Sequence, residues 1–251
     1  MPMGYREIAA ALRAAIEAGE YSPGAQLPTE HDLANRFAVS RETVRRALAT
    51  LKAAGLVIAA TKQGTTVARP PVRLALSHYA AAVDPARPGR GMGPWETACA
   101  EQGVPGRVEV DEVVRVPAAA DLAARFGVAA GAGLVRRARR MFAGDDLAQL
   151  QVSHVLAEVA EGTPLALPGK VVGGLYAALR VAGVHLVDAT EEVAARLPTG
   201  AERETLDLPD AVWVLETWRT TRDSSGRVVE VLHSVSDARR VARVFGALPI
   251  G

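Results

Sequence analysis

Two groups of arginines stand out by type and spacing. The first lies in residues 39–51, Val-Ser-Arg-Glu-Thr-Val-Arg-Arg-Ala-Leu-Ala-Thr-Leu. Ser40 is suited to cap a helix, because its hydroxyl can accept from first-turn amides that have no intrahelical partner. Val44, Leu48 and Leu51 follow at i, i+4 and i+7 and make one apolar stripe. Arg41, Glu42 and Arg45 fall on the outer face near the N-terminus, with Arg46 flanking them. Guanidinium forks at the start of such a helix match guanine edges in a major groove bidentately. Taken alone, the same pattern equally describes an amphipathic surface helix with solvated arginines. The second group is Arg136, Arg137, Arg139 and Arg140, set around Ala138. On a strand, Arg137 and Arg139 share one face and Arg136 and Arg140 the other. Four arginines in five residues cannot all be core. Solvation or cross-strand pairing accounts for at least two, and the others have the geometry to bind a carboxylate or phosphate.

The elements around the first group decide its reading. Tyr5, Ile8, Leu12 and Ile16 give a helix ended by Gly19, and Tyr21-Ser22-Pro23-Gly24 is a turn. Thr29 caps a second helix with Asp32 three residues on, a capping-box variant. Leu33 and Phe37 face inward, and a turn at Ala38-Val39 leads into the Ser40 helix. Helix, short turn and helix is the arrangement that stands a recognition helix in a groove. Gly55 stops the third helix. Residues 56–60 and 65–69 then read as two strands joined by Thr61-Lys62-Gln63-Gly64, a hairpin whose basic, glycine-containing tip suits close approach to phosphates.

Residues 5–68 resemble the winged helix-turn-helix of the GntR family of bacterial transcription regulators. The resemblance rests on Tyr5, Ile8, Leu12, Ile16, Gly19, Pro23-Gly24, Leu27-Pro28-Thr29-Glu30, Leu33-Ala34, Phe37, Val39-Ser40-Arg41, Thr43-Val44-Arg45, Ala47-Leu48, Leu51, Gly55-Leu56 and Gly64-Thr65, in order and without gaps. It implies DNA contacts at His31, Ser40, Arg41, Glu42, Thr43 and Arg45, and at the wing tip through Gln63, Gly64 and Thr65. Arg46 joins them as a flanking candidate.

Composition agrees. A chain of 251 residues, 49% hydrophobic and 23% charged, reads as one or two globular domains. No apolar run is long enough to span a bilayer. Residues 1–18 are amphipathic, unlike a signal peptide. Cys99 is the one cysteine, which excludes an internal disulfide, suits a reducing cytoplasm and reads as a packed residue. The net charge of +1 is uneven: residues 1–70 hold nine Lys/Arg against six Asp/Glu, net +3, and residues 71–251 hold 20 against 22, net −2. The positive excess sits where nucleic acid is expected.

Residues 70–92, with Pro70-Pro71 and scattered prolines and glycines, read as a linker. It separates residues 1–69 from a second domain at 93–251 that mixes strands and helices. Strands are expected at 108–116, 134–142, 147–156 and 184–195, with a long hairpin of 212–222 and 228–237. Helices are expected at 118–126, 171–181 and 201–206. This order resembles the UTRA effector-binding domain of the HutC subfamily, from about residue 93 to 245. The likeness is carried by Phe126-Gly127-Val128, the arginine-rich strand, Ser153, Gly174-Leu175-Tyr176, and Gly226 with Glu230. It implies an α+β chain, in which the winged helix-turn-helix precedes a chorismate-lyase-like domain with an antiparallel sheet. It also implies an effector pocket lined by Arg137, Arg139, Ser153 and Glu230. Two candidate pocket positions depart from the pattern, since Val155 and Ser236 stand where tyrosines are frequent. Met141 or a neighbour stands where phosphosugar-binding members have a further arginine. The ligand expected is a partly apolar, anionic metabolite.

Other chemistry is absent from the pattern. His31, His78, His154, His185 and His233 have no metal-ligand spacing, although His154 and His233 lie on strands near the expected pocket. Gly131-Ala132-Gly133 lacks the register of a dinucleotide fingerprint, and no phosphate-cradling loop or nucleophile elbow is present. No enzyme, metal or cofactor is expected. The reading is a homodimeric, cytoplasmic repressor that leaves a near-palindromic operator when a small molecule binds. The alternatives are a ligand-dependent activator and a DNA-binding protein whose second domain only dimerises.

Overall fold

The computed structural model describes residues 3–60, 64–75, 77–79 and 91–245, the side chains of residues 59 and 60 excepted. Two compact units divide the chain, Met1–Pro70 and Pro71–Gly251. The first contains α1 (Tyr5–Glu17), α2 (Glu30–Phe37), α3 (Arg41–Ala53), β1 (Val57–Ala60) and β2 (Gly64–Val67). Its caps are local. The Glu7 carboxylate accepts from the Gly4 amide at 2.7 Å. Thr29 Oγ1 accepts from the Asp32 amide at 3.2 Å while Asp32 accepts from the Thr29 amide at 3.3 Å. Ser40 Oγ accepts from the Thr43 amide at 3.2 Å. Ala38 turns the chain between α2 and α3 in the left-handed region at φ 52°.

Ile8, Leu12, Leu33, Val44, Leu51, Val57 and Val67 meet in the core of this unit, and each buried aliphatic contributes about 1.5–3 kcal/mol. Strands β1 and β2 pair antiparallel, Val57 opposite Val67. The segment before α2 adds to their edge: the Leu27 amide donates to Thr65 O at 2.8 Å and the Val67 amide to Ala25 O at 2.9 Å. Gly24 begins that segment at φ +82°, and the Arg69 guanidinium occupies the space a side chain there would need.

The second unit contains β3 (Val72–Ala75), helical residues 77–79, α4 (Pro94–Glu101), β4 (Gly106–Pro117), α5 (Ala120–Phe126), β5 (Gly133–Ala143), β6 (Asp146–Leu156), α6 (Ala157–Ala160) and a 3-10 turn at Pro164–Ala166. After these come α7 (Gly174–Val181), β7 (Leu186–Arg196), α8 (Gly200–Thr205), β8 (Val214–Asp223), β9 (Val228–Asp237) and β10 (Val241–Val244). Six strands form an antiparallel sheet in the order β4-β5-β6-β9-β8-β7, and β3 pairs parallel with β10. Helices α5 and α8 cover one face through Phe126, Leu134 and Val231 and through Leu206, Val214 and Val235. On the other face, α4 and the β3–β10 pair pack on Met141 and Ala143, and α7 packs on Val135, Val155 and Val229. Among the described residues no helix is long and apolar enough to cross a membrane.

Three features differ from expectation. The stretch read as a linker at 70–92 contains a strand, so the second unit begins at Pro71 and not at residue 93; residues 76 and 80–90 of that stretch lie outside the described residues. Val72 and Leu74 are buried against a partner strand near the other end of the unit, a pairing with no local signature. Helix α4 was also missed. Pro94 occupies its first turn, where a missing N–H costs nothing, and Trp95 beneath it donates Nε1 to Phe142 O at 2.9 Å. The helix expected at 171–181 starts only at Gly174, because Gly173 and Gly174 take φ +74° and +83°.

Candidate nucleic-acid interface and ligand cavity

The exposed side of α3 carries Arg41, Glu42, Arg45 and Arg46, opposite the buried Val44, Ala47, Leu48 and Leu51. Arg45 pairs with Glu30 at 3.2 Å and Glu42 at 3.1 Å, and Arg41 reaches Glu30 at 3.9 Å. Glu30 thus gathers the two arginines one turn apart at the start of the helix, a role that no local pattern in the sequence signalled. Ser40 spends its acceptor on the cap, and its hydroxyl lies 2.9 Å from Thr43 Oγ1. His31, on α2, is exposed and contacts Asn35 at 3.2 Å. Arg46 turns away from this group and sits over the Tyr5 ring, 4.3 Å from its centroid. In the wing, Gly64 is exposed at φ +74° and Thr65 is half-buried in β2. Gln63, with the rest of residues 61–63, lies outside the described residues.

In the second unit, the sheet face that carries Arg137 and Arg139 floors a cavity of about 70 Å³. The alternation expected of β5 is present. Arg136 and Arg140 point to the other side and pair with Glu112, Asp111 and Glu109. Arg137, only 1% exposed, donates to three carbonyls of the following loop, Leu165 at 2.7 Å, Leu167 at 2.9 Å and Gly169 at 2.6 Å. Burial and then the neighbouring Arg139 push its guanidinium down to about 10. Arg139 donates through Nη2 to Ser153 Oγ, and its Nε is buried without a partner among the described residues. Burial holds it below the usual guanidinium range, against the pull of Glu230, Tyr79 and Tyr176.

Proton bookkeeping orders the polar groups beneath the cavity into one chain. The Ser153 hydroxyl donates to Glu230 Oε1 at 2.8 Å, and the Thr221 hydroxyl donates to Glu230 Oε2 at 3.2 Å. A hydroxyl has one proton, so the 2.8 Å contact between Tyr176 and Thr221 has tyrosine as donor. Tyr176 in turn accepts from Arg219 Nη1 at 3.3 Å. Arg219 is 2% exposed, donates Nε to Glu191 at 2.7 Å, and sits over the Tyr79 ring, its guanidinium carbon 3.4 Å from the centroid. Arg243 on β10 holds the other oxygen of Glu191. Glu191 is kept below the usual carboxylate range: burial works against this, and the two guanidiniums outweigh it. Among the described residues, four guanidiniums (Arg137, Arg139, Arg219 and Arg243) stand against two carboxylates, Glu191 and Glu230, an excess of positive charge. Lys170 and Glu96 neutralise each other at 2.7 Å beside the cavity. The remaining lining includes Trp95, Val108, Met141, Leu175 and Leu232, so the walls are largely apolar.

Of the expected pocket residues, the structure brings Arg137, Arg139, Ser153 and Glu230 together; Ser153 is fully buried beneath the cavity lining and reaches it only through Arg139 and Glu230. Val155 does not line the cavity; it is fully buried against α7, in the core with Leu175 and Leu179. Ser236 is also buried outside the cavity lining, opposite Gln149 in the sheet register. His154 and His233 face away from the cavity, because their even positions on β6 and odd position on β9 put them on the α5 side, where His233 stacks on Trp218. Cys99 is fully buried and its thiol is pushed up to about 12 by burial and then Glu96, which fits a packed cysteine. Sequence reasoning missed Tyr79, Arg219 and Glu191. The one available signal was Arg219 between Thr217 and Thr221 on the inward parity of β8. Among the described residues no cluster of His, Cys, Asp or Glu could hold a metal.

Comparison with known proteins places this geometry. Residues 4–67 match the family described as bacterial regulatory proteins, gntR family, and residues 101–242 match the UTRA domain. An uncharacterized HTH-type transcriptional regulator of Streptomyces coelicolor is 35% identical over 95% of this chain and 90% of its own length. The HTH-type transcriptional repressor NagR of Bacillus subtilis is 29% identical over 62% of this chain and 59% of its own. The crystal structure of PhnF from Mycobacterium smegmatis shares the fold, with a TM-score of 0.63 at 23% identity, over 96% of this chain and 99% of that one. With a helix-turn-helix and a UTRA effector domain matched in one chain, the chain is a transcription regulator, and it belongs to the gntR family of bacterial regulatory proteins, in the form that carries a UTRA domain.

Proposed function

We propose that the protein is a homodimeric repressor that leaves its operator when an amphipathic organic anion occupies the cavity of the second unit. Arg41 and Arg45 read base edges or adjacent phosphates, with Ser40, Thr43, Glu42, His31, Gly64 and Thr65 around them. In the cavity, Arg139 takes the anionic group, Ser153 and Glu230 position it, and Met141, Val108 and Leu232 contact the apolar body. The observation that carries this reading is the Arg139 Nε, unpartnered among the described residues, in a positively charged, largely apolar cavity. Buried charge without a partner is costly, and an anion relieves that cost. Relatives named as repressors support the sign of the response. An effector that prefers the non-binding arrangement weakens DNA affinity through a coupling typically of about 1–3 kcal/mol.

The test is a thermal-shift panel of aliphatic and aromatic carboxylates, sugar phosphates and the neutral amides of the same carboxylates. A ligand of the native state at 100 times its Kd adds about 2.7 kcal/mol of stability. Carboxylates with an apolar body should raise the melting temperature of the wild type, their amides should not, and Arg139→Ala should respond to neither. Equal stabilisation by acids and amides, or an unaltered response in Arg139→Ala, would defeat the assignment.

A further inference from the structure

Tyr79 belongs to the chain segment that follows the DNA-binding unit, yet its ring forms part of the cavity wall. Strand β3 starts two residues after Pro70, and Leu74 and Tyr79 both line the cavity. His78, the neighbour of Tyr79, is tied back to the end of β3 and across to α4. His78 is buried and its Nδ1 accepts from the Ala75 amide at 2.9 Å, while its Nε2 meets Glu101 of α4 at 2.9 Å. Strand β3 is gripped on both edges, by β10 on one side and by the Gln102 side chain on the other, which accepts from the Arg73 amide at 2.9 Å and donates to Arg73 O at 3.2 Å. A displacement of Tyr79 therefore displaces β3.

The far side of Tyr79 is equally constrained. Its ring packs into two separate cores, that of β3 and α4 and that of α7, and meets the Tyr176 ring with centroids 6.1 Å apart. Arg219 lies over its face and begins one of two donor runs that converge on Glu230: one passes through Tyr176 and Thr221, and the other starts at Arg139 and passes through Ser153. Every hydroxyl in these runs has its single proton committed, so repositioning Arg139 or Glu230 around an anion re-aims each donor in turn as far as Arg219. Arg219 and Arg243 also hold the Tyr79 phenol below its ordinary range, although burial alone would raise it. Charge, stacking and packing thus converge on one side chain.

We propose that Tyr79, seated on Arg219, is the positioning residue through which the state of the cavity and the state of the DNA-binding unit are coupled. Its place between β3 and Arg219 makes it a wedge whose removal uncouples the two sites while leaving the DNA-binding unit able to bind its duplex. This rests on the two-site reading above and adds to it the element both sites would bias, which a physical account of coupling requires. By reciprocity, DNA binding must be felt in the cavity as much as cavity occupancy is felt at the DNA. No effector is then needed for the test.

The probe is an operator duplex selected from random-sequence DNA, and the readout is amide hydrogen exchange of the full chain with and without it. In the wild type, duplex binding should alter exchange in residues 72–79 and in β8 and α7 beneath the cavity. In Tyr79→Leu the duplex should bind within threefold of wild type, while the response of β8 and α7 falls at least threefold. Tyr79→Phe, which keeps the ring, should retain it. Arg219→Lys, which keeps a cation beside Glu191 but loses the guanidinium over the ring and the Tyr176 bond, gives a second variant should Tyr79→Leu melt early; it too should lose the distal response. The proposal is overturned by an undiminished response of β8 and α7 in a folded Tyr79→Leu or Arg219→Lys protein. It is equally overturned if those elements do not respond in a wild type that binds the duplex. Failure of the wild type to select or bind any duplex would instead refute the DNA-reading assignment.

Discussion

Arg45 is held in the free protein by two carboxylates, Glu30 and Glu42, all three at the surface or nearly so. Such pairs contribute about 0–1 kcal/mol, so a phosphate or a guanine edge displaces them at small cost. Arg41→Ala and Arg45→Ala should each weaken binding to a selected operator by about 1–3 kcal/mol, with the melting temperature almost unchanged. Titrations showing wild-type affinity in both would remove α3 from the groove. His154 gives a prediction in pH. Its Nδ1 is buried without a partner, and burial, then Arg136, pushes the imidazole from 6.5 down to about 4. Between these values the unfolded chain binds a proton that the folded chain refuses, so stability should fall as pH falls from 6.5 toward 4. His154→Gln should flatten that part of the profile. An identical slope in the variant would assign the loss to other groups.

At the scale of elements, the loop from the 3-10 turn to α7 depends on a side chain from the sheet. Arg137 supplies the donors for the carbonyls of Leu165, Leu167 and Gly169. Without it these acceptors lose their partners; that of Leu165 is buried, and an abandoned buried acceptor costs about 1–3 kcal/mol, while those of Leu167 and Gly169 are only partly buried. Arg137→Met should therefore destabilise the second unit by about 1–3 kcal/mol and open residues 165–172 to protease. The first unit should melt as before, since its core shares nothing with this loop. Denaturant melts combined with limited proteolysis check this; a loop as resistant as in the wild type would mean that its carbonyls need no guanidinium. Arg137 is thus primarily a support for the cavity wall, a distinction that the alternation of β5 alone does not reveal.

For the whole molecule, symmetry is the main expectation. One recognition helix reads a few base pairs, so specificity across a genome calls for two copies. The operator should be a near-palindrome whose half-site centres lie roughly one helical turn apart or closer. Footprinting together with sedimentation of the complex tests this. A monomer protecting one asymmetric half-site would contradict the dimeric reading.

Locally determined features were legible in the residues themselves. The Thr29–Asp32 capping box, the Ser40 cap, the left-handed glycines 55 and 127 and the inward parity of Arg137 and Arg139 all follow from interactions within a few positions, or from the period of a helix or strand. The same holds for the hairpin of β8 and β9, whose turn at Asp223-Ser224-Ser225-Gly226 closes on its own side chain through Asp223. Tertiary structure alone decided the rest. Strand β3 looks like linker because its partner, β10, lies near the opposite end of the unit. Arg219 looks like one more charged strand residue until Glu191, Tyr79 and Tyr176 surround it from three other elements. Val155 and Ser236 have the expected strand parity, yet neighbouring elements, and not parity, determine which inward positions meet the cavity and which are sealed in core. Hydrogen bonding within a turn is written in adjacent residues, whereas burial and charge pairing depend on what the folded chain brings across from afar.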